Sequence, residues 1–205
     1  TGLSSATKSV TITKGSTGNR TYTATWEKVI NLTFESNGGT FICHSDGEES
    51  TRFSFEGWTL RDVERLQNEY SYSSTGFYID DAYDATREHY TFGGFSSSTN
   101  GTSDTFGTIS MSYLLNNYDS YTFYAVWIPV TYTISYNLNG GTVSPENPTS
   151  YTIEDTFTLN NPTKTGYTFA GWTGTGLSSP TTTVSIVKGI ANGTQGGNRT
   201  YTANW

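Results

Sequence analysis

The sequence predicts a mainly β protein built from tandem modules, and three observations support this fold class. Phrases ending in Trp recur at 19–26, 120–127 and 198–205, where they read NRTYTATW, SYTFYAVW and NRTYTANW. Within each phrase apolar and polar residues alternate, as they do on a strand with one buried face. Aromatic residues make up 15% of the chain, and its many Thr, Ser, Gly and Asn residues favour short strands and turns over helices.

Each repeat opens with a second phrase, which predicts a strand and a tight turn. INLTFESNGGT at 30–40 aligns with YTISYNLNGGT at 132–142. Both runs alternate apolar and polar residues and then stop at Asn-Gly-Gly, where a positive φ costs little. A third phrase in the middle of the repeat, HYTFGGF at 89–95 and GYTFAGW at 166–172, predicts another strand that ends in an aromatic residue.

A further pair of matching segments precedes the closing phrases. GLSSATKSVTITKG at 2–15 aligns without a gap on GLSSPTTTVSIVKG at 176–189. Each segment predicts a strand that pairs with the closing strand through a Gly- and Asn-rich loop. We therefore expect residues 7–26 to form a hairpin. An isolated hairpin is only marginally stable in water, so we expect it to lean on the following module.

These repeats divide the chain into three parts. Residues 1–27 form the C-terminal hairpin of a truncated repeat, 28–128 an enlarged module and 129–205 a complete module. The first part lacks an opening strand, so we expect the chain to be an excerpt from a longer array. The linkers at 27–28 and 128–130 are so short that neighbouring modules should touch.

The repeated aromatic residues are the predicted core. We expect Trp26, Trp127 and Trp205 to be buried at the ends of the closing strands, and Trp172 and Phe95 to occupy equivalent core positions.

An acidic insertion enlarges the middle module. The distance from Trp26 to Trp127 is 101 residues, against 78 from Trp127 to Trp205, so the middle repeat is 23 residues longer. The excess falls between the Asn-Gly-Gly turn and His89. Residues 44–88 contain eleven acidic and four basic residues, which accounts for the whole net charge of −7.

One helix is predicted inside this insertion, at 59–70. Thr59 is a suitable N-cap, and Leu60, Val63 and Leu66 trace one apolar face. The simplest interpretation is that the helix covers one end of the sheet. The alternative is that the insertion distinguishes this module functionally from a plain spacer.

The insertion also contains the candidate ligand-binding residues. A groove of exposed aromatic rings would suit a glycan, whereas the same rings could simply fill the core of the enlarged module. Trp58 lies outside the repeat positions and directly precedes the predicted helix. The candidates are Trp58, Tyr70, Tyr72, Tyr78 and Tyr83.

A weaker candidate is a calcium site in the same segment. Asp80, Asp81, Asp84 and Glu88 could together supply the oxygen ligands that Ca²⁺ prefers. They lack the Gly-bearing spacing of a recognised calcium loop, and exposed carboxylates are ordinarily just solvated surface. We therefore predict no metal or other cofactor.

Catalysis finds little support in the sequence. The chain has one Cys, Cys43, and two His, His44 and His89. Cys43 and His44 are neighbours, so on a strand their side chains would point to opposite faces. We predict no catalytic residue and no enzymatic activity.

Composition also excludes two kinds of partner. With a net charge of −7 the chain has no basic stripe for phosphates, so nucleic acid is a poor partner. No stretch approaches the roughly 20 apolar residues of a membrane span. We expect neither nucleic-acid binding nor membrane insertion of this segment.

Together the phrases YTISYNLNGGT, NPTKTGYTFAGWTG and NRTYTANW resemble the Listeria–Bacteroides repeat, also called the internalin-type B repeat. The resemblance is close over 131–205 and looser over 28–43 and 89–127. It implies β-grasp-like modules strung in tandem on bacterial surface or secreted proteins, and it implies no catalytic residues. The middle unit departs from the pattern at His89, which replaces Gly, and at Phe95, which replaces Trp.

The resulting functional hypothesis is a non-enzymatic, extracellular segment that serves as a stalk, spacer or adhesion module on a bacterial cell. Its expected partners are the neighbouring repeats of the same chain, and a host or cell-wall glycan or protein. The alternative is a ligand-binding module that uses the inserted segment of the middle repeat.

Overall fold

The computed structural model describes residues 3, 5–43, 47–59, 83–102, 111–191 and 196–205. The strands in these ranges are β1 (Ile30–Glu35), β2 (Thr40–Cys43), β3 (Glu49–Ser50), β4 (Arg52–Trp58), β5 (Tyr83–Thr86), β6 (Tyr90–Ser96), β7 (Ser120–Pro129), β8 (Tyr132–Asn137), β9 (Ser150–Tyr151), β10 (Phe157–Thr158), β11 (Gly171–Gly174), β12 (Ser185–Val187), β13 (Ile190–Ala191) and β14 (Arg199–Asn204). One helix, α1 (Met111–Asn117), lies between β6 and β7.

The middle module is built on a four-stranded sheet with the order β4-β1-β7-β6. The opening strand β1 and the closing strand β7 are parallel neighbours at its centre, where Phe34 lies opposite Phe123. The outer strands β4 and β6 pair antiparallel with β1 and β7. A separate three-stranded sheet, β3-β2-β5, follows the Asn-Gly-Gly turn.

The last module repeats this arrangement. Its four-stranded sheet has the order β9-β8-β14-β11, and β8 and β14 are the parallel central pair, with Tyr136 opposite Tyr201. A small sheet of β10, β12 and β13 accompanies it. The predicted mainly β fold class is therefore confirmed, and the shared strand order is consistent with a β-grasp-like module.

Aromatic residues build the core of the middle module, as the composition predicts. The ring of Phe34 stacks on Phe53 at 4.8 Å and on Phe123 at 5.3 Å, and meets Phe95 edge-on at 4.9 Å. In the last module Trp172 is fully buried and packs near Tyr136.

The predicted equivalence of Phe95 and Trp172 is confirmed. Both side chains are fully buried. Each pairs with the alanine of its closing strand, Phe95 with Ala125 and Trp172 with Ala203.

The closing Trp of each complete module packs against the Asn-Gly-Gly turn and donates a hydrogen bond to it. Trp205 is half-buried, and its indole nitrogen donates a hydrogen bond to the carbonyl of Leu138 at 3.2 Å. A Cβ at Gly141 would collide with the Trp205 ring, so only glycine lets the turn approach this closely. In the middle module the Trp127 indole nitrogen likewise donates to the Ser36 carbonyl, and a Cβ at Gly39 would collide with the Trp127 ring.

The helix α1 is a feature that the sequence analysis did not predict. It occupies the part of the middle module where the last module has β12 and β13. Leu114 and Leu115 of α1 are buried in the core cluster, so a short helix covers the core where the last module has a hairpin. The predicted helix at 59–70 lies outside the described residues except for Thr59.

The N-terminal segment does not fold as predicted. Residues 5–29 contain a turn at Lys14–Gly15 but no strand. Trp26 is 92% exposed, so the prediction that it is buried is wrong. In both complete modules the closing strand lies between an opening strand and a Gly-aromatic strand, and residues 1–26 contain neither. Without those partners the alternating pattern has no sheet to join.

The two arms of this segment nevertheless approach each other. A hollow of about 650 Å³ is lined by residues 3, 5–7 and 10 from one arm and by residues 21–25 from the other. The chain thus turns back on itself near Thr13, whose carbonyl accepts a hydrogen bond from the Ser16 backbone at 3.1 Å.

Candidate functional site

Trp58, the first predicted ligand-binding residue, lies at the end of β4. Its ring is partly buried, lies 4.1 Å from the Phe55 ring and packs against the core of the middle module. It pairs with Ile30 at the start of β1, as Tyr151 pairs with Tyr132 in the last module. Trp58 thus occupies a register position that both modules use for an aromatic residue.

The other aromatic candidates are less informative. Tyr70, Tyr72 and Tyr78 lie outside the described residues. The backbone of Tyr83 belongs to β5, where it pairs with Cys43.

The weak calcium candidates are divided in the same way. Asp80 and Asp81 lie outside the described residues, Asp84 lies on β5 opposite Ile42, and Glu88 lies in the turn after β5. Within the described part of the chain no group of three or more His, Cys, Asp and Glu residues could hold a metal ion.

Of the residues considered for catalysis, Cys43, the single cysteine of the chain, lies half-buried on β2. His44 lies outside the described residues. His89 is distant from both of them in the sequence and lies at the contact between the two complete modules. We call this contact the junction, and polar side chains from both modules meet there.

The junction is built on a tight turn between β5 and β6. The Tyr90 nitrogen donates to the Arg87 carbonyl at 3.1 Å, and the Arg87 guanidinium lies 3.9 Å from the centre of the Tyr90 ring. His89 adopts a φ of 65°, where the last module has Gly166 with a φ of 79°. Because a positive φ is unfavourable for a residue with a side chain, His89 is held there by its surroundings.

Those surroundings belong to the last module. His89 Nδ1 and the Tyr132 hydroxyl share a hydrogen bond of 2.9 Å, and their rings meet edge to face. A Cβ at Gly196 would overlap the His89 ring, so the glycine lets the loop before β14 close over it. The His89 Nε2 atom is buried 3.3 Å from Glu88 Oε1, without a hydrogen bond.

A second polar contact crosses the junction beside the first. The Tyr90 hydroxyl donates to Glu154 Oε1 at 2.7 Å, and Lys188 Nζ lies 3.9 Å from Glu154 Oε2. Burial, together with the hydrogen bond to Glu154, raises the pKa of Tyr90, an effect that Arg87 partly offsets. Tyr90 therefore stays protonated, and remains a donor, at neutral pH.

The backbone ties the modules together as well. Strand β7 runs to Pro129 and β8 starts at Tyr132, so only two residues separate them. The Val130 nitrogen donates to the His89 carbonyl at 2.9 Å, which fixes the linker against the turn. A cleft of about 410 Å³ remains beside these contacts, between the turn at 87–90 and the edge formed by Ile153, Lys188 and Gly189.

Sequence reasoning missed this junction. In the sequence His89 stands out only as one of two histidines weighed for catalysis, and no motif assigns a role to Tyr90 or Glu154. The available signal was the replacement of Gly166 by His89 at the same repeat position, because a side chain placed where the repeat has glycine indicates a local constraint.

The geometry thus defines a protein of small β modules, each with a parallel central strand pair, joined through polar contacts. Residues 132–189 match the family model of the Listeria-Bacteroides repeat domain, which supports the predicted resemblance for the last module. No curated protein and no solved structure shows a significant match to the chain. Among the described residues, no helix is long and apolar enough to cross a membrane.

Proposed function

We propose that this chain is a non-enzymatic stalk or spacer segment of a bacterial surface or secreted protein, in which docked modules hold a fixed mutual orientation. The observation that carries the proposal is the junction between the two complete modules. A two-residue connection, the backbone bond from Val130 and the side-chain contacts of His89 and Tyr90 act on the same interface. Domains joined only by a linker would move independently.

The packing of Trp58 supports this function over a ligand site in the insertion. A ring used for glycan binding presents its face to solvent, whereas Trp58 is partly buried against Phe55 and the core. The extracellular location and the absence of catalysis belong to the same proposal and rest on the family resemblance of residues 132–189.

The test measures how firmly the two modules are oriented. Spin labels are placed at the exposed residues Glu56 and Thr182, in a chain whose single cysteine is replaced by Cys43→Ser. A double electron–electron resonance experiment should give one narrow distance distribution. A broad distribution would show that the modules move freely and would overturn the proposal.

One variant separates docking from folding. His89→Gly installs the residue that the last module has at this position, so it relieves the positive φ while it deletes the contact with Tyr132. Combined with Glu154→Gln, it should broaden the distribution without lowering the melting temperature of the middle module. An unchanged distribution would show that these side chains do not orient the modules.

A further inference from the structure

The last module carries a second copy of the turn that forms the junction. The Tyr167 nitrogen donates to the Lys164 carbonyl at 3.1 Å, as Tyr90 does to Arg87. The Lys164 ammonium lies 4.2 Å from the centre of the Tyr167 ring, where the middle module places a guanidinium. The turn at 164–167 therefore reproduces both the backbone and the cation–aromatic pair of the turn at 87–90.

Each of these turns also lies against the Asn-Gly-Gly turn of its own module. Lys164 Nζ donates to the carbonyl of Asn139 at 2.8 Å and lies 5.6 Å from the centre of the Trp205 ring. A Cβ at Gly140 would lie 3.8 Å from Lys164, and one at Gly38 would lie 3.6 Å from Arg87. Each cation is thus fixed beside its Asn-Gly-Gly turn, and the whole corner is preformed.

The two corners differ in what covers them. Tyr90 is half-buried and donates to Glu154 of the next module. Tyr167 is 61% exposed. The last module thus has the same pair of a cation and an aromatic ring as the middle module. In the last module the ring is open to solvent, whereas in the middle module the next module covers it.

We propose that the corner formed by Lys164, Tyr167 and Trp205 is a docking surface for a further module of the same kind. It would receive the edge that carries Glu154 and Lys188, as the corner of Arg87 and Tyr90 does. The incoming Glu154 equivalent accepts a hydrogen bond from Tyr167 and faces the ammonium of Lys164, so the charges are complementary. The proposal rests on the proposed function, because it extends the observed junction to the next position in an array.

The occupant is a repeat module because the corner and the edge lie on different parts of each module. Such a contact is head-to-tail rather than self-complementary, so it can be repeated from one module to the next along the chain. A module whose edge is docked on one neighbour still has an uncovered corner, which can receive the edge of the following module. The last module shows this state, with Glu154 occupied by Tyr90 and Tyr167 open.

One residue distinguishes the second junction from the first. The position of His89 is taken by Gly166, so the contact with the Tyr132 equivalent is missing. The second junction is therefore held by Tyr167 and Lys164 and is weaker than the first. Gly166→His should restore the missing bond, since His89 shows that the turn accepts this side chain.

The experiment uses the full chain extended by a second copy of residues 128–205 after Trp205. Labels at both copies of Thr182, with Cys43→Ser, report on the new junction, and labels at Glu56 and the first Thr182 report on the existing one. We expect a narrow distance distribution across the new junction. Tyr167→Phe together with Lys164→Gln should broaden it, whereas Tyr113→Phe, at an exposed tyrosine of the middle module, should leave it unchanged.

Two outcomes would overturn the inference. One is a broad distribution across the new junction in the unsubstituted extended chain. The other is a narrow distribution that Tyr167→Phe with Lys164→Gln does not change, because the docking surface would then lie elsewhere. If the existing junction stays narrow in either case, the proposed stalk function stands and only the second docking surface is lost.

Discussion

Residues 5–26 carry nearly the same sequence as 179–205, but the described parts of the two segments adopt different structures. Ile12 is 59% exposed, whereas its counterpart Ile186 is 1% exposed. Tyr22 is exposed and Tyr201 is fully buried, although both stand in the phrase Asn-Arg-Thr-Tyr-Thr-Ala. The phrase sets which side chains would face a core, and partner strands decide whether a core forms.

The missing partners can be named from the complete module. The closing strand β14 pairs with β8 on one side and with β11 on the other, so it is the inner strand of its sheet. Residues 1–26 contain neither an opening strand nor a Gly-aromatic strand. A closing strand alone cannot satisfy its backbone groups or bury Trp26.

The largest expected contrast is between two tryptophans. Trp172→Ala should lower the free energy of unfolding of the last module by roughly 3–5 kcal/mol, because it empties a fully buried aromatic site. Trp26→Ala should leave it unchanged, since that side chain is 92% exposed. Thermal and urea unfolding of both variants would measure the contrast. Equal effects would refute the assignment of Trp172 to the core.

The second contrast is between two arginines at the same repeat position. Arg199 is fully buried, and its Nε donates to the Tyr151 hydroxyl at 2.6 Å. Arg199→Ala should cost about 3 kcal/mol, through lost packing and a buried hydroxyl that loses its donor. Arg20, its counterpart in the first segment, is exposed, and Arg20→Ala is the matched control.

Chemical denaturation of Arg199→Ala and Arg20→Ala would give the difference in the free energy of unfolding. A similar loss in both variants would mean that residues 19–26 are packed as a strand in solution.

The third prediction concerns the packing of the closing Trp against the Asn-Gly-Gly turn. Gly141→Ala should destabilise the last module by about 2 kcal/mol, because the added methyl group overlaps the Trp205 ring. Gly39→Ala should act likewise on the middle module through Trp127. Gly141→Ala combined with Trp205→Ala tests the cause, since the glycine substitution should cost little once the ring is gone.

The smallest expected effect is that of removing residues 1–26. The described residues of this segment, 3 and 5–26, are all exposed. The ion pair between Lys28 and Asp119, at 3.4 Å, lies outside the segment and is kept in the shortened chain. The free energy of unfolding of the remainder should therefore change by less than about 0.5 kcal/mol, as for surface substitutions. Calorimetry of the two chains would show it. A clear loss of stability would support the docking that the sequence predicts.

The sequence predicts the central strands and their buried faces well in the two complete modules, where the alternating segments have partner strands. Phe95 and Trp172 are equivalent core residues, as the aligned phrases indicate. The parallel pairing of β1 with β7 joins residues about ninety positions apart, and alternation alone does not specify which strands become neighbours. α1 was missed because its single apolar pair, Leu114 and Leu115, gives too short a periodic signal.

The candidate site was predicted less well than the fold. The acidic insertion has the more conspicuous sequence signal, because its charge and its tyrosines differ from the rest of the chain. The junction instead depends on the contacts of His89 with Tyr132 and of Tyr90 with Glu154, whose members are 43 and 64 positions apart in the sequence. Their proximity follows from how two finished modules meet, and the only local trace of it is a side chain at a glycine position.

The parallel pairing of opening and closing strands has a consequence for how a module bears load. Each complete module is entered at the start of its opening strand and left at the end of its closing strand, and these two strands run side by side in one direction. A pull along an array therefore slides them past each other and strains all of their ladder hydrogen bonds together. A hairpin pulled at its open end yields one bond at a time. Modules with parallel terminal strands should therefore resist a pull along the chain more firmly than a hairpin does.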